Sequence, residues 1–304
     1  MAATRRLRAL TESLTPRLDF PEGPLLVALS GGADSSALAW LAVSKAPVRL
    51  AHVNHQWPDS DRMEEAAGGV AAALGLALEV VRVEAPRGEA GAREVRYRAL
   101  FSRRGEWEWL LTGHTADDQA ETVLVNLLRG TGLEGLAGIP ARRGYIARPL
   151  LRIARSETRE LATLAGLPWV DDPANDDPSH FRNRIRLQLL PRLEAEYNPA
   201  VRRHLTATAE IAAASIEEGQ LIGELLPDRW RAPAGLLWAL GKVKAVAAAR
   251  QAVRSLNNGY PLSRQEATAF WSVVDRQASG AQLGRGLRVE RAGPFIEIRP
   301  RPDG

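Results

Sequence analysis

The chain predicts an α/β protein: a doubly wound parallel sheet followed by a mainly helical C-terminal region. Three observations carry this. Apolar strand-like runs recur at 25–29, 48–53, 78–83 and 109–112. Helix-patterned segments near 35–44, 61–74 and 89–103 separate them, an alternation that produces parallel strands joined by crossover helices. After a short strand and a turn within 142–152, helical patterns dominate, including an alanine-rich stretch at 199–226. The expected division is an α/β domain over residues 1–195 and a mainly helical domain over 196–304, ending in a hairpin at 287–298 with a glycine turn at Gly293.

The first run leads directly into Ser30-Gly31-Gly32-Ala33-Asp34-Ser35-Ser36 and then into the helix-patterned Ala37-Leu38-Ala39-Trp40-Leu41. Glycines allow positive φ and a close approach to an anion, and the helix that follows presents unpaired N–H groups at the positive end of its dipole. Ser30, Gly31, Gly32, Ala33, Asp34 and Ser35 therefore form an expected phosphate cradle, with hydroxyl donors from the serines and a carboxylate on Asp34 suited to a divalent cation. The loop has no lysine, so it is not the commoner G-x-x-x-x-G-K-[ST] loop, and it has no dinucleotide G-x-G-x-x-G pattern. The second run ends at His52-Val53-Asn54-His55, where strand alternation puts His52 and Asn54 on one side.

The fourth run ends at Thr112-Gly113-His114-Thr115-Ala116-Asp117-Asp118-Gln119-Ala120-Glu121-Thr122. A helix starting near Thr115 places Asp118, Glu121, Val125 and Arg129 on one face and turns Val123, Leu124, Leu127 and Leu128 toward the core. Two carboxylates above a phosphate loop are unfavourable unless they hold a cation, which points to Mg²⁺, an ammonium substrate, or both. Asp117 reads as a helix N-terminal charge that favours the dipole. Ser30, His52, Asn54 and His114 all fall at the carboxyl ends of strands, where open α/β sheets bind ligands.

A proline- and aspartate-rich join at 168–181 precedes Arg182, Arg184, Arg186 and Arg192, which read as a basic helix. Residues 1–150 carry 18 basic and 18 acidic side chains, whereas 151–304 carry 22 and 18, so the excess positive charge lies in the second half and suggests an anionic partner there. The chain has no cysteine, which excludes disulfides, thiolate metal sites and cysteine nucleophiles. No apolar run approaches the roughly 18 residues of a membrane span, and Arg5, Arg6, Arg8 and Arg17 with Leu7, Leu10 and Leu14 form an amphipathic helix rather than a signal core. The expectation is a cytosolic protein with no membrane association.

The Ser-Gly-Gly-x-Asp-Ser string after a buried strand resembles the ATP pyrophosphatase superfamily, and further motifs narrow the resemblance to the tRNA(Ile)-lysidine synthetase family. They are His52-Val53-Asn54-His55, Gly113 to Thr122, Arg129-Gly130-Thr131-Gly132, Arg148-Pro149-Leu150-Leu151, and the segment from Arg182-Asn183-Arg184-Ile185-Arg186 to Pro191, together spanning residues 25–195. The chain departs from the family at Gln56-Trp57-Pro58, where Gly-Leu-Arg is usual; Arg93 matches another arginine of the family and is a phosphate-ligand candidate.

The resemblance implies an adenine nucleotide α-hydrolase-like fold, with ATP and Mg²⁺ as cofactors and the wobble cytidine of isoleucine tRNA and free lysine as substrates. It implies that the 30–35 loop, His52 and Asn54 hold ATP, Asp34 holds Mg²⁺, Asp34, His114, Asp118 and Glu121 are catalytic, and Asp118 and Glu121 hold lysine. Arg182, Asn183 and Arg186 are implied to contact RNA, while the sequence leaves open whether residues 196–304 bind the tRNA body or brace the catalytic domain. A tRNA thiolation enzyme of the same superfamily is one alternative, although those chemistries use cysteines or an iron–sulfur cluster. A non-catalytic nucleotide- and RNA-binding module is another, and it gives no reason for the paired carboxylates. The sequence leaves open whether the chain is a homodimer.

Overall fold

The computed structural model describes residues 2–84, 89–220, 222–256, 262–284 and 286–301. They form two compact units, one of residues 1–129 and 138–207, the other of 130–137 and 208–304. The units divide after Ala207, inside a helix, whereas the sequence places the boundary after residue 195. Helix packing explains the difference: Arg202 and Thr206, on the first turns of that helix, bond to Glu194, Asp117 and the Ala116 carbonyl of the first unit.

In chain order, the first unit begins with α1 (Ala2–Leu14), β1 (Leu25–Ala28), α2 (Ala33–Val43), β2 (Val48–Asn54) and α3 (Ser60–Leu74). β3 (Leu78–Arg82), α4 (Glu89–Arg103), β4 (Trp109–Leu111) and α5 (Ala116–Leu128) follow. α6 (Leu133–Leu136) belongs to the second unit, to which Arg254 ties it through Glu134 at 2.7 Å. The chain returns through β5 (Arg142–Arg143), β6 (Ile146–Ala147), α7 (Arg155–Leu164), α8 (Phe181–Arg184), a π-helical turn (Ile185–Leu189), α9 (Leu190–Glu196) and α10 (Val201–Gln220).

The sheet has the order β3-β2-β1-β4-β6-β5, parallel except for the marginal β5. Leu25 of β1 lies between Val48 of β2 and Trp109 of β4. The chain winds one way from β1 to β3 and the other way from β4 onward, so the gap beyond the ends of β1 and β4 is the switch point where such sheets hold ligands. Leu25, Leu26 and Val27 are fully buried because both faces are covered, which is why β1 reads as an unbroken apolar run. On one face Leu25 and Val27 pack with Leu38 and Leu41 of α2, Leu14 of α1 and Leu161 of α7; on the other, Leu26, Ala51 and Leu110 pack with Leu100 of α4.

α5 starts where the sequence places it: Thr115 is its N-cap, and Asp118 accepts from the Thr115 N–H at 2.9 Å in a capping box. Val123 and Leu124 are buried as expected, but Leu127 and Leu128 are 51% and 55% exposed. Ile185, Leu189, Leu190 and Leu193 cover Leu124 and Val125, and that cover ends one turn short of Leu127 and Leu128.

The second unit continues with β7 (Glu224–Leu225), β8 (Trp230–Pro233), α11 (Ala234–Leu256), α12 (Arg264–Val274), β9 (Gly280–Leu283), β10 (Leu287–Ala292) and β11 (Phe295–Pro300). Its antiparallel sheet has the order β7-β8-β11-β10-β9. β10 and β11 form a hairpin pairing Ala292 with Phe295. The unit holds more sheet than its pattern suggests, because β7, β8 and β9 are too short for alternation to register. Leu237, Ala249, Val253, Phe270 and Val273 of α11 and α12 share a core with Trp230, Val289, Ile296 and Ile298 of the strands. Gly241, at φ +76°, breaks α11 into two helical pieces. Among the described residues, no helix is long and apolar enough to cross a membrane.

The α5 burial pattern predicts that Leu124→Ala, which empties a packed position, destabilises the first unit by about 2–5 kcal/mol. Leu127→Ala, on the exposed turn, stays within about 0.5 kcal/mol. Thermal unfolding of the two variants beside the parent chain measures both.

Candidate active site

β1 ends at Ala28, and the turn that follows delivers the chain into α2. Gly31 sits at φ +90°, and a Cβ there would stand 2.3 Å from the Met63 carbonyl oxygen of α3, so glycine is required twice over. Gly32, expected to share the positive φ, is instead at −86° as the N-cap of α2; a Cβ there would find only ordinary contacts. Its lack of a side chain has a different effect: α2 has no side-chain cap, so its first-turn N–H groups are left for an anion.

The serines hold the turn in shape. Ser35 Oγ accepts from the Ser30 N–H at 3.1 Å, lies 3.0 Å from Ser30 Oγ and donates to the Gly32 carbonyl at 2.9 Å. Ser36 is buried and donates to the same carbonyl at 3.0 Å, so its hydroxyl faces inward rather than toward a ligand. Gly113, at the end of β4, allows α2 to come close, since a Cβ would stand 3.0 Å from Ser35 N.

His52 and Asn54 do share one side of β2, both buried, but they do different things. His52 Nδ1 bonds to the Leu29 carbonyl at 2.8 Å beside the glycine turn, and its buried Nε2 has no partner. The Asn54 amide turns away to α3, donating to Asp61 at 3.1 Å and Glu64 at 2.7 Å, while its oxygen accepts from the Gln56 N–H at 2.7 Å. Asn54 therefore braces the β2–α3 connection, and Gln56, from the segment departing from the family pattern, takes a left-handed φ of +58° there. Arg93 lies over the Tyr97 ring at 5.0 Å and donates to its hydroxyl at 3.3 Å.

Three carboxylates and three guanidinium groups form the centre. Glu121 is fully buried; Arg186 reaches it at 2.7 and 3.0 Å, Arg182 at 3.0 Å and Arg155 at 3.3 Å. Asp118 accepts from Arg155 at 2.9 Å and from the Thr115 hydroxyl and N–H, both at 2.9 Å, with Arg182 and Arg186 at 3.5 and 3.6 Å. Asp34 accepts from the Thr158 hydroxyl and lies 3.5 Å from Arg155 Nε. Burial works against the Asp118 anion, but Arg155, His114 and Arg182 outweigh it and hold its pKa below the usual carboxylate range. At Asp34 burial prevails over Thr158 and Arg155 and pushes the pKa up to about 6.

Arg182 and Arg186, expected to contact RNA, are held in this structure by the carboxylates of α5, and Asn183 is buried, donating to the Asp177 carbonyl at 2.8 Å. Two stretches that read as an acidic face and a separate basic helix are the two halves of one ion network. Asp117 caps more than its own helix: it accepts from the Arg155 N–H of α7 at 2.8 Å and from Arg202 of α10 at 3.1 Å. His114 bonds to the Thr112 hydroxyl at 2.9 Å, and burial and the nearby Arg148, Arg93 and Arg96 lower its pKa, outweighing Asp118, so that it is a neutral imidazole near pH 7.

Arg155 and Thr158, which touch Asp34, were absent from the sequence reading. Arg155 left one signal: a cation in the first turn of a helix opposes the dipole, so an arginine there indicates a role elsewhere. As for a divalent cation, no group of three or more histidine or acidic side chains that could hold a metal occurs among the described residues. Asp34, a partly exposed carboxylate in the first turn of the uncapped α2, fits a site that Mg²⁺ shares with substrate phosphates rather than a cage made of protein alone.

A strand, glycine turn and uncapped helix at the switch point of a parallel sheet define a class of nucleotide-binding fold, and the PP-loop domain family matches residues 2–193. The chain is 41% identical to the tRNA(Ile)-lysidine synthase of Salinispora tropica, over 99% of this chain and 97% of the relative. It is 36% identical to the tRNA(Ile)-lysidine synthase of Pseudomonas syringae pv. tomato, over 86% of this chain and 63% of that one. It belongs to the tRNA(Ile)-lysidine synthase family. A U34-tRNA thiolase from Methanococcus maripaludis, solved with its [4Fe-4S] cluster, has the same fold, with a TM-score of 0.55 and 17% identity over 73% of this chain and 81% of that one.

The Asp34 pKa sets a pH dependence. With a folded value of about 6 against 3.8, the folded chain keeps a proton that the unfolded chain loses, so Asp34 lowers stability progressively from about pH 4 to 6 and by a constant amount above. Asp34→Asn removes this effect, so its stability relative to the parent rises between pH 4 and 7 by up to about 3 kcal/mol, at about 1.4 kcal/mol per unit. Urea denaturation at pH 4, 5.5 and 7 reads it; a flat difference would contradict the assignment.

A second expectation concerns Arg155. Arg155→Met leaves three carboxylates, one of them the fully buried Glu121, with two guanidinium groups and lowers stability by about 3–5 kcal/mol. Adding Glu121→Gln recovers part of that loss in thermal unfolding.

Proposed function

We propose that the chain ligates lysine to the wobble cytidine of isoleucine tRNA, consuming ATP and releasing AMP and pyrophosphate, through an adenylated cytosine. The observation that carries it is the acid–arginine centre on α5, α7 and α8, set directly beside the glycine turn of β1 and α2.

In the first step the cytosine 2-oxygen attacks the α-phosphorus of ATP and the bond to the bridging oxygen breaks. Ser30, Gly31, Gly32, Ala33, Asp34 and Ser35 receive the departing pyrophosphate on the uncapped N-terminus of α2. Asp34 would hold Mg²⁺, which would supply neutralisation of the charge that develops on pyrophosphate. His114, neutral, donates or accepts a hydrogen bond without adding charge. His52 uses its buried, unpartnered Nε2 at the nucleotide side of the turn, and Asn54 shapes that side by holding α3.

In the second step one of the two carboxylates, Asp118 or Glu121, takes a proton from the lysine ε-ammonium, the freed amine attacks carbon 2, and the carbon–oxygen bond to AMP breaks. Asp118 and Glu121 attract the incoming ammonium, which takes over hydrogen-bond positions that Arg155 fills in this structure, while Arg155 turns to the phosphates of ATP. Arg182 and Arg186 stay on Glu121 and fix its orientation. In this reading the protein works in the cytoplasm, where tRNA is modified, and the segment from residue 208 onward holds the tRNA body or braces the catalytic unit.

Incubation with ATP, labelled lysine and isoleucine tRNA tests the reading: label enters tRNA only with all three present, and pyrophosphate is released. Asp118→Asn and Glu121→Gln are expected to raise the KM for lysine about 10- to 100-fold, the loss of one charge-assisted hydrogen bond. Unchanged lysine KM and kcat in both variants would remove these carboxylates from lysine binding.

A further inference from the structure

Beyond the ion network, the C-terminal half of α5 and the start of α8 enclose a cavity of about 300 Å³, lined by Thr122, Asn126, Arg129, His180, Phe181 and Arg182 among others. Arg182 belongs to both places: it lines the cavity and bonds to Glu121 at 3.0 Å. At a rise of 1.5 Å per residue, the cavity runs along α5 from Thr122 to Arg129 for about 10 Å.

Two features of its wall point to one kind of ligand. Phe181 is an aromatic at the surface, 36% exposed, and is part of no apolar core in the first unit. Guanidinium groups lie near its ring on two sides, Arg184 at 5.6 Å and Arg129 at 5.4 Å, and they are held differently. Arg184 is anchored by the carbonyls of Pro178 at 3.0 Å and Ser179 at 2.8 Å. Among the described residues, the Arg129 guanidinium makes no hydrogen bond or ion pair and lies over the Phe181 ring. An exposed ring under a movable guanidinium, with polar side chains at the inner end, matches a flat, uncharged base joined to a phosphate. A cavity of about 300 Å³ is at the small end of ligand sites and suits a single pyrimidine nucleotide.

We propose that this cavity receives the target pyrimidine nucleotide of a single-stranded RNA loop, the base stacking on Phe181 and its phosphate taken by Arg129, with Arg182 guiding the base edge toward the carboxylates. This rests on the reading that the chain modifies a tRNA base and adds where the base enters. The base must leave its neighbours' stack to reach a buried reaction centre, and an aromatic platform offsets the stacking it gives up.

The test is binding of a fluorescein-labelled anticodon stem-loop of isoleucine tRNA, measured by anisotropy, beside the steady-state KM for lysine. Phe181→Ala is expected to weaken stem-loop binding about 5- to 100-fold and Phe181→Trp to keep it, the range for one base stacked on an aromatic ring. Arg129→Ala is expected to weaken binding and lower its salt slope by about 1, the loss of one phosphate contact. A stem-loop lacking only the wobble base is expected to bind the parent and Phe181→Ala equally, and lysine KM is expected to stay within about twofold in all variants that bind. Equal binding of the intact stem-loop by parent and Phe181→Ala overturns the proposal, as does a raised lysine KM with unchanged RNA binding, which would make the cavity an amino-acid site. A parent chain that neither binds the stem-loop nor releases pyrophosphate overturns the functional reading as well. A parent that modifies tRNA while Phe181→Ala matches it overturns the cavity alone.

Discussion

Three carboxylates, Glu121 fully buried and Asp34 and Asp118 partly so, face three guanidinium groups and hold the catalytic half of this chain together. A buried carboxylate without a partner is very unfavourable, so Asp34 on α2, Asp118 and Glu121 on α5, Arg155 on α7, and Arg182 and Arg186 on the α8 segment are fixed relative to one another. Four elements from distant parts of the chain thus meet at the switch point of the sheet. Asp117 extends the lattice by capping α7 and pairing with Arg202 of α10. In the proposed reaction the residues that fix the architecture also carry the chemistry, so the site gains its polarity without a separate structural support.

The segment that supplies two of the arginines is itself irregular. A π-helical turn over Ile185–Leu189 lies between α8 and α9, and Pro191, at the start of α9, has no N–H to offer the preceding turn. π-helical turns recur at functional sites, and here the widened turn lies across the segment from which Arg186 reaches Glu121 through two nitrogens, with Arg182 one turn before it. Regular packing resumes at Ile185 and Leu190, which close a small core with Leu124 and Val125.

What the sequence made legible was local. The strand, glycine turn and helix around residues 30–36 follow from adjacent residues, as does the Thr115 cap that starts α5, because turn chemistry and periodicity act within a few positions. The pairings that define the centre act over separations of 34, 61 and 65 residues, and no linear pattern records which arginine will face which acid. A run of arginines looks the same whether it meets solvent, RNA or buried carboxylates, which is why Arg182 and Arg186 read as an outward surface. Leu127 and Leu128 were misplaced for a related reason: periodicity reports the apolar face of a helix but not where its cover stops. The extra strands of the second unit, as short as two residues, lie below what alternation can reveal.

The sheet of the first unit ends in β3 on one side and β5 on the other. β5 consists of two exposed arginines, and β3 carries Glu79, paired to Arg49 and Arg103, and Arg82, paired to Glu64. A strand from another molecule seeking to extend the sheet would have to strip water from these charges before gaining any backbone hydrogen bond. Both margins are thus guarded against edge-to-edge aggregation, and an apolar, closely packed parallel sheet can be kept in concentrated solution without serving as a template for its own growth.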